Sequence, residues 1–310
     1  MRGLETKYTK EENVKEIAIL GATASGKSKL SIELAKTSNC VILSLDSLSI
    51  YKEIDIASAK PTVREREGIK HFGIDEISVP SPFDVKRFFE LYFEARDYAV
   101  ANEKNLIIVG GTSFYLKSMV YGISEKPKIS AETKTRVKEI LEDKEKAYGK
   151  ICEVDEIYSK KISKNDIYRI EKWFEIYLES GKNVTDYFEA NRQEPIIKEI
   201  EIYQIEVDRE ILRERIKART SKMVEAGLIE EVEYLREKYG TNPNAMNSIG
   251  IKESLDYLDE KISKEKLIEL ISIHTAQLAK RQTTFNRTQF KNVQVLPKEK
   301  ILEEAGKYLI

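Results

Sequence analysis

Short apolar runs, each stopped by turn residues, mark out the chain. EIAIL at 16–20 ends at Gly21, CVILSLD covers 40–46, NLIIVGG covers 105–111 and EIYQIEVD covers 201–208. Runs this short, apolar and rich in β-branched residues predict strands buried on both faces. VQVLP at 293–297 is a possible last strand. The segments between change period. KSKLSIELAK, from Lys27, puts Leu30, Leu34 and Ala35 on one helical face, and KRFFELYFEARDYAVANE gathers its aromatics on one side. REILRERIKARTSKMVEAG, from Arg209, is a long helix. Strands alternating with helices predict an α/β fold, a parallel sheet covered on both faces, whose ligands sit at the carboxyl ends of the strands. The chemistry is therefore expected in the loops after Leu20, Leu45 and Val109.

Near Ser124 the pattern breaks. From there to about Pro195 there is no buried-strand run, only mixed-charge helical segments such as AETKTRVKEILEDKEKAYGK and YRIEKWFEIYLES. The expected organisation is a polar N-terminal extension (1–14), the first part of a core (15–123), an all-helical insertion (124–197), and the second part of the core with C-terminal helices (198–310).

Composition narrows the function classes. A chain of 310 residues with 41% hydrophobic content suits about two compact units. No apolar run is long enough to span a membrane and the first residues are polar, so the expectation is a cytoplasmic protein. Two cysteines and two histidines argue against a disulfide framework and a Cys/His zinc site, leaving a hard ion bound through oxygen as the plausible metal. Lys+Arg 52 against Asp+Glu 53 gives a net charge of −1, so any polyanion contact must come from local clustering.

Three loops carry candidate chemistry. Gly21-Ala22-Thr23-Ala24-Ser25-Gly26-Lys27-Ser28 fits GxxxxGK[ST] between a strand and a helix N-terminus, the context of a P-loop. Its backbone N–H groups can cradle a phosphate, Lys27 adds a mobile cation, and the Ser28 hydroxyl suits the shell of a phosphate-bound Mg²⁺. Asp46-Ser47-Leu48-Ser49-Ile50-Tyr51 follows the second strand, expected beside the P-loop. Its carboxylate can hold Mg²⁺, accept a proton from a nucleophile, or cap a helix. Gly110-Gly111-Thr112 follows the third strand, where two glycines permit close approach to a ligand or simply start a helix.

Taken together, these loops and later segments resemble the bacterial tRNA dimethylallyltransferases, also called tRNA isopentenyltransferases. GATASGKS is similar to the family's GPTASGKT, DSLSIYKEIDIASAKP to DSxxVYxGMDIGTAKP, and GGTSFYLKSMVYGI to GGTxLYxxALLxGL. NDIYRIEKWFEIYLESG resembles NDxxRxxRALEVxxxSG. RERIKARTSKMVEAGLIEEVEYL resembles RxxxRxxxMxxxGxxxEVxxL, and QLAKRQTTFNR resembles QxAKRQxTWxR. Departures from the family pattern are Ala22 for Pro, Lys172 for the second Arg, Ile251 for Tyr, Phe285 for Trp, and Lys70-His71-Phe72 for PHH.

The resemblance implies transfer of a dimethylallyl group from its diphosphate to N6 of the adenosine 3′ of the anticodon, by a monomer using Mg²⁺. It implies Asp46 as base, with Thr112 and Lys27 assisting. The diphosphate would be held by Gly21, Thr23, Ala24, Ser25, Gly26, Lys27, Ser28 and Arg219, with Ser28 also at the metal. Contacts to tRNA would come from Asp46, Ser47, Leu48, Ser49, Thr112, Lys134, Tyr168, Arg169, Lys172, Ser248, Gly250, Lys252, Lys280, Arg281, Gln282 and Arg287. The adenosine must leave its stack to react, a step costing a few kcal/mol.

Charge clustering is consistent with such a partner. Residues 271–297 contain Lys280, Arg281, Arg287 and Lys291 and no acid, and six basic residues lie between Arg209 and Lys222. Other classes remain open from the residues alone. One is a P-loop kinase of a small metabolite or nucleoside, with Arg213, Arg215 and Arg219 as a lid. Another is a non-catalytic tRNA-binding module, and a third an isopentenyltransferase acting on free nucleotide.

Overall fold

The structure, a computed structural model, describes residues 14–310. The 1–14 extension lies outside them except for its last position. Backbone contacts divide the chain into two units, one ending at Lys117 and resuming at Glu199, the other Ser118–Lys198.

The first unit contains the parallel sheet. Its elements in chain order begin with β1 (Glu16–Leu20), α1 (Lys27–Thr37), β2 (Cys40–Leu45), β3 (His71–Phe72), α2 (Val85–Ala101), β4 (Asn105–Gly110) and α3 (Phe114–Tyr121). The last of these runs across the division between the units. The two-residue β3 was too short to show a period in the sequence. All strand pairs are parallel, in the order β3-β2-β4-β1, continued by two later strands. Asp46 was expected beside the P-loop, but β4 lies between β2 and β1. The register brings the strand ends level nonetheless, because Gly110 pairs with both Leu20 and Leu45.

The second unit is helical: α4 (Ala131–Ile140), α5 (Lys144–Val154), α6 (Glu156–Ser159), α7 (Ile167–Ser180) and α8 (Val184–Ala190). Side chains cap its helices as the sequence chemistry dictates. Ser130, Asp143, Asp166 and Asn183 each accept an N–H at a helix start, and Gly181 closes α7 in the left-handed conformation. Its core surrounds the fully buried Trp173, with Val137, Ile151, Ile170 and Val184 against it.

The first unit then resumes with β5 (Glu201–Ile205), α9 (Arg209–Glu225), α10 (Leu228–Tyr239), a 3₁₀ turn (Asn244–Asn247), α11 (Ile251–Leu258), α12 (Lys264–Gln289), β6 (Val293–Leu296) and α13 (Lys298–Leu309). β5 pairs with the free side of β1, and β6 with β5. One sheet face packs Ile17, Ile19, Ile42 and Ile107 against Leu30 and Leu34 of α1 and Ile301 and Leu309 of α13. Side chains buried on both faces explain why the strands read as unbroken apolar runs.

Asp155 is the polar keystone of the second unit. Its carboxylate accepts N–H groups from Tyr158 (3.1 Å), Trp173 Nε1 (3.0 Å) and Thr185 (3.0 Å), and the Thr185 hydroxyl at 2.6 Å. Burial alone would raise its pKa, but the donors from Thr185, Trp173 and Tyr158 hold it below the ordinary value. Asp155→Ala leaves these buried donors unsatisfied and should cost about 3 kcal/mol, measured by urea unfolding. Because the folded-state pKa is depressed, the wild-type contribution is present above the unfolded pKa. It disappears as pH falls through the folded value.

Candidate active site

The carboxyl ends of the central strands, with α9 and α12, enclose a cavity of about 510 Å³. Its polar lining includes Thr23, Asp46, Thr112, Arg219, Arg281 and Gln282, and its apolar lining Ile216, Met223, Ile271 and Leu278. Along α9 the cavity side chains fall at 216, 219, 220 and 223, and along α12 at 271, 275, 278, 281, 282 and 285, the stripe of one helical face.

The loop after β1 wraps tightly. Ser25 N–H donates to the Ala22 carbonyl at 3.1 Å, Ala24 has φ +67° and Gly26 φ +90°. A left-handed conformation costs Ala24 about 1–2 kcal/mol, so other contacts must hold it. Lys27 leads α1, and desolvation pulls its pKa down to about 8, opposed by the Asp46 carboxylate and reinforced by the Arg219 cation. Desolvation lowers Arg219 as well, again opposed by Asp46. These three charges thus act on one another across the same space.

Asp46 is oriented by its own turn. Its Oδ1 accepts the N–H groups of Leu48 (2.9 Å) and Ser49 (3.2 Å). No helix follows, so the capping role suggested by the sequence takes the form of a turn. Oδ2 has no hydrogen-bond partner among the described residues, so the turn engages one oxygen and leaves the other unengaged. Thr112 sits alongside because its N–H donates to the Leu45 carbonyl at 3.0 Å.

Two carboxylates that composition alone would not single out shape the cavity wall. Glu231 accepts three backbone N–H groups, from Asp55 (2.9 Å), Ile56 (2.7 Å) and Ala57 (2.9 Å), and Ala57 lines the cavity. Burial raises its pKa, with those N–H donors opposing. Glu253 accepts the Gly250 N–H at 2.7 Å beside cavity residues Asn247, Ser248 and Ile249. The signal for Glu231 and Met223 was present in the family-like stretch RTSKMVEAGLIEEV, without a stated role.

Of the residues implied for tRNA contact, Asp46, Ser47, Leu48, Thr112, Ser248, Arg281 and Gln282 line this cavity. Ser49 is buried with its hydroxyl 3.4 Å from that of Ser44, and Gly250 is buried at the start of α11, whereas Lys252 is exposed. Lys280 and Arg281 border an open recess of about 530 Å³ on α12 with Phe285 and Thr288. Arg287 is exposed, 4.0 Å from Glu206. Lys134, Tyr168, Arg169 and Lys172 belong to the second unit. There Tyr168 is 65% exposed, Arg169 pairs with Asp166, and Lys172 lies between Glu171 and Glu175. Arg213 and Arg215, the other arms of a kinase-like lid, are exposed, and Arg213 pairs with Glu210 at 3.0 Å.

Comparison with known proteins places this geometry. The family model described as IPP transferase matches residues 49–289. The chain belongs to the IPP transferase family. It is 54% identical over 297 residues to the tRNA dimethylallyltransferase of Sulfurovum sp. (strain NBC37-1), covering 94% of this chain and 99% of that protein. It is 53% identical over 286 residues to that of Sulfurimonas denitrificans, covering 92% and 96%. Among solved structures, the full-length tRNA isopentenylpyrophosphate transferase of Bacillus halodurans superposes with a TM-score of 0.70 at 26% identity, covering 95% of each chain. A eukaryotic dimethylallyltransferase acting on tRNA gives 0.77 at 27% identity, covering 92% of this chain and 74% of that one.

Among the described residues no three His, Cys, Asp or Glu side chains form a metal cluster. The Ser28 hydroxyl is exposed and has no hydrogen-bond partner among the described residues, so it would suit an ion that arrives bound to phosphate oxygens. Lys27 sets a pH dependence. Its positive charge is present below about pH 8 and is lost above, so affinity for inorganic diphosphate should fall as pH rises through about 8. Calorimetric titration checks this, and Lys27→Gln should bind weakly with no inflection there.

Proposed function

We propose that this IPP transferase moves a dimethylallyl group from dimethylallyl diphosphate to N6 of the adenosine 3′ of the anticodon in tRNA, acting as a monomer in the cytoplasm. The carrying observation is that Thr23 of the phosphate loop, Arg219 and the half-free carboxylate of Asp46 line one cavity, with Lys27 behind it within electrostatic reach of both charges. The adenosine N6 lone pair attacks carbon 1 of the allyl group and the bond from that carbon to the bridging oxygen breaks. Negative charge gathers on the diphosphate, where the loop N–H groups, Lys27 and Arg219 offset it. The N6 proton passes to Asp46 Oδ2, the oxygen not engaged by the turn. Mg²⁺ bound with the diphosphate and the Ser28 hydroxyl would supply further charge neutralisation.

The macromolecular substrate fits the outer face of α12. Lys280 and Arg281 suit phosphate contact, and Phe285 beside them offers a ring for stacking, as single-stranded RNA recognition requires. Lys134, Tyr168 and Arg169 of the second unit supply further exposed contacts in this reading.

Purified protein given Mg²⁺, unmodified tRNA and dimethylallyl diphosphate should yield allylated adenosine by nucleoside mass spectrometry; none would refute the proposal. Asp46→Asn is the sharper variant, because asparagine Oδ1 keeps the turn while the base is lost. Turnover should fall about 100-fold or more with tRNA affinity retained. Undiminished turnover would remove Asp46 as base. Arg219→Ala should chiefly weaken use of the diphosphate donor.

A further inference from the structure

Gln282 lies on α12 between the exposed Arg281 and the protein interior, and the family resemblance groups it with tRNA contacts. Its amide is engaged elsewhere. Oε1 accepts the backbone N–H of Thr23 at 3.0 Å, a link spanning 259 residues of sequence. That bond orients the amide and places Nε2 against Gly111. A methyl group built on Gly111 would overlap Nε2, and the three atoms nearest to it all belong to Gln282. Gly111 does not have a positive φ, so its backbone conformation does not require glycine. Its neighbour differs, because a methyl on Gly110 would overlap the Leu45 carbonyl in the sheet. Thus Gly110 serves strand packing, and Gly111 leaves room for the Gln282 amide.

The link has a mechanical use. Thr23 precedes Ala24, whose left-handed backbone is the strained point of the phosphate loop. Gln282 anchors the residue at that point and packs on the turn that carries Thr112. We propose that Gln282 is a positioning residue for the diphosphate site, a latch from α12 to the phosphate loop, and that its side chain is not an RNA contact. This rests on the prenyl-transfer reading for the identity of the anion.

The test measures inorganic diphosphate with Mg²⁺ and an anticodon stem-loop RNA as separate ligands, on wild type, Gln282→Met, Gly111→Ala and the double variant. Gln282→Met removes the acceptor, while Gly111→Ala displaces the amide through its flexible end. Each single variant should weaken diphosphate binding about five- to ten-fold, the loss of one hydrogen bond. RNA affinity should stay within about two-fold. The double variant should match either single one, since both break the same latch. In turnover, KM for dimethylallyl diphosphate should rise by the same factor and KM for RNA should not.

Weakened RNA binding with intact diphosphate affinity would overturn the proposal, as would losses that multiply in the double variant. If wild type binds RNA but no diphosphate, the prenyl-transfer reading falls and takes the latch with it. If wild type binds both and the variants match it, only the latch falls.

Discussion

Lys27 and Arg219 bring two partly desolvated positive charges within electrostatic reach of Asp46, the only carboxylate among the described residues lining the cavity. Charges at low dielectric interact strongly, and an unbalanced set is costly to maintain. The lowered Lys27 pKa is the visible symptom: without an anion, the ammonium is pressed toward losing its proton. In the proposed reading, a bound diphosphate would restore the balance. The surrounding architecture keeps these charges in place. Parallel pairing levels the ends of β2, β4 and β1, and the hydrogen bond from Thr112 to Leu45 ties the carboxylate strand to its neighbour.

The walls of the cavity follow the same logic of satisfied backbone donors. Glu231 takes up three N–H groups of the segment after the Asp46 turn, and Glu253 takes up that of Gly250. Neither carboxylate lines the cavity. Each orders a stretch of irregular chain that does, which is how loops can hold a defined shape around a ligand.

Much of the core was legible because its central strands are buried on both faces and so appear as continuous apolar runs, EIAIL, CVILSL and NLIIVG. The two residues of β3 carry too little pattern to be seen. Sheet order was not legible either. Chain order suggested β2 beside β1, yet a later strand inserts between them, and nothing local in CVILSL encodes its neighbour. The phosphate loop and Asp46 were legible as residue types at strand ends. Their division of labour was not, because which oxygen of Asp46 is engaged depends on a turn and not on composition. Gly111 shows the limit most plainly: its reason for being glycine lies in the amide of Gln282, far along the chain.

That distance has a consequence for synthesis. The amide that anchors Thr23 leaves the ribosome 259 residues after Thr23 itself. At ordinary elongation rates this interval is on the order of ten to fifty seconds. Meanwhile β1 can pair with β4 on one side, while its other edge waits for β5 until the whole helical unit has been made. The nascent chain therefore carries an open, apolar central strand through the middle of its own production, the kind of edge that recruits unwanted partners.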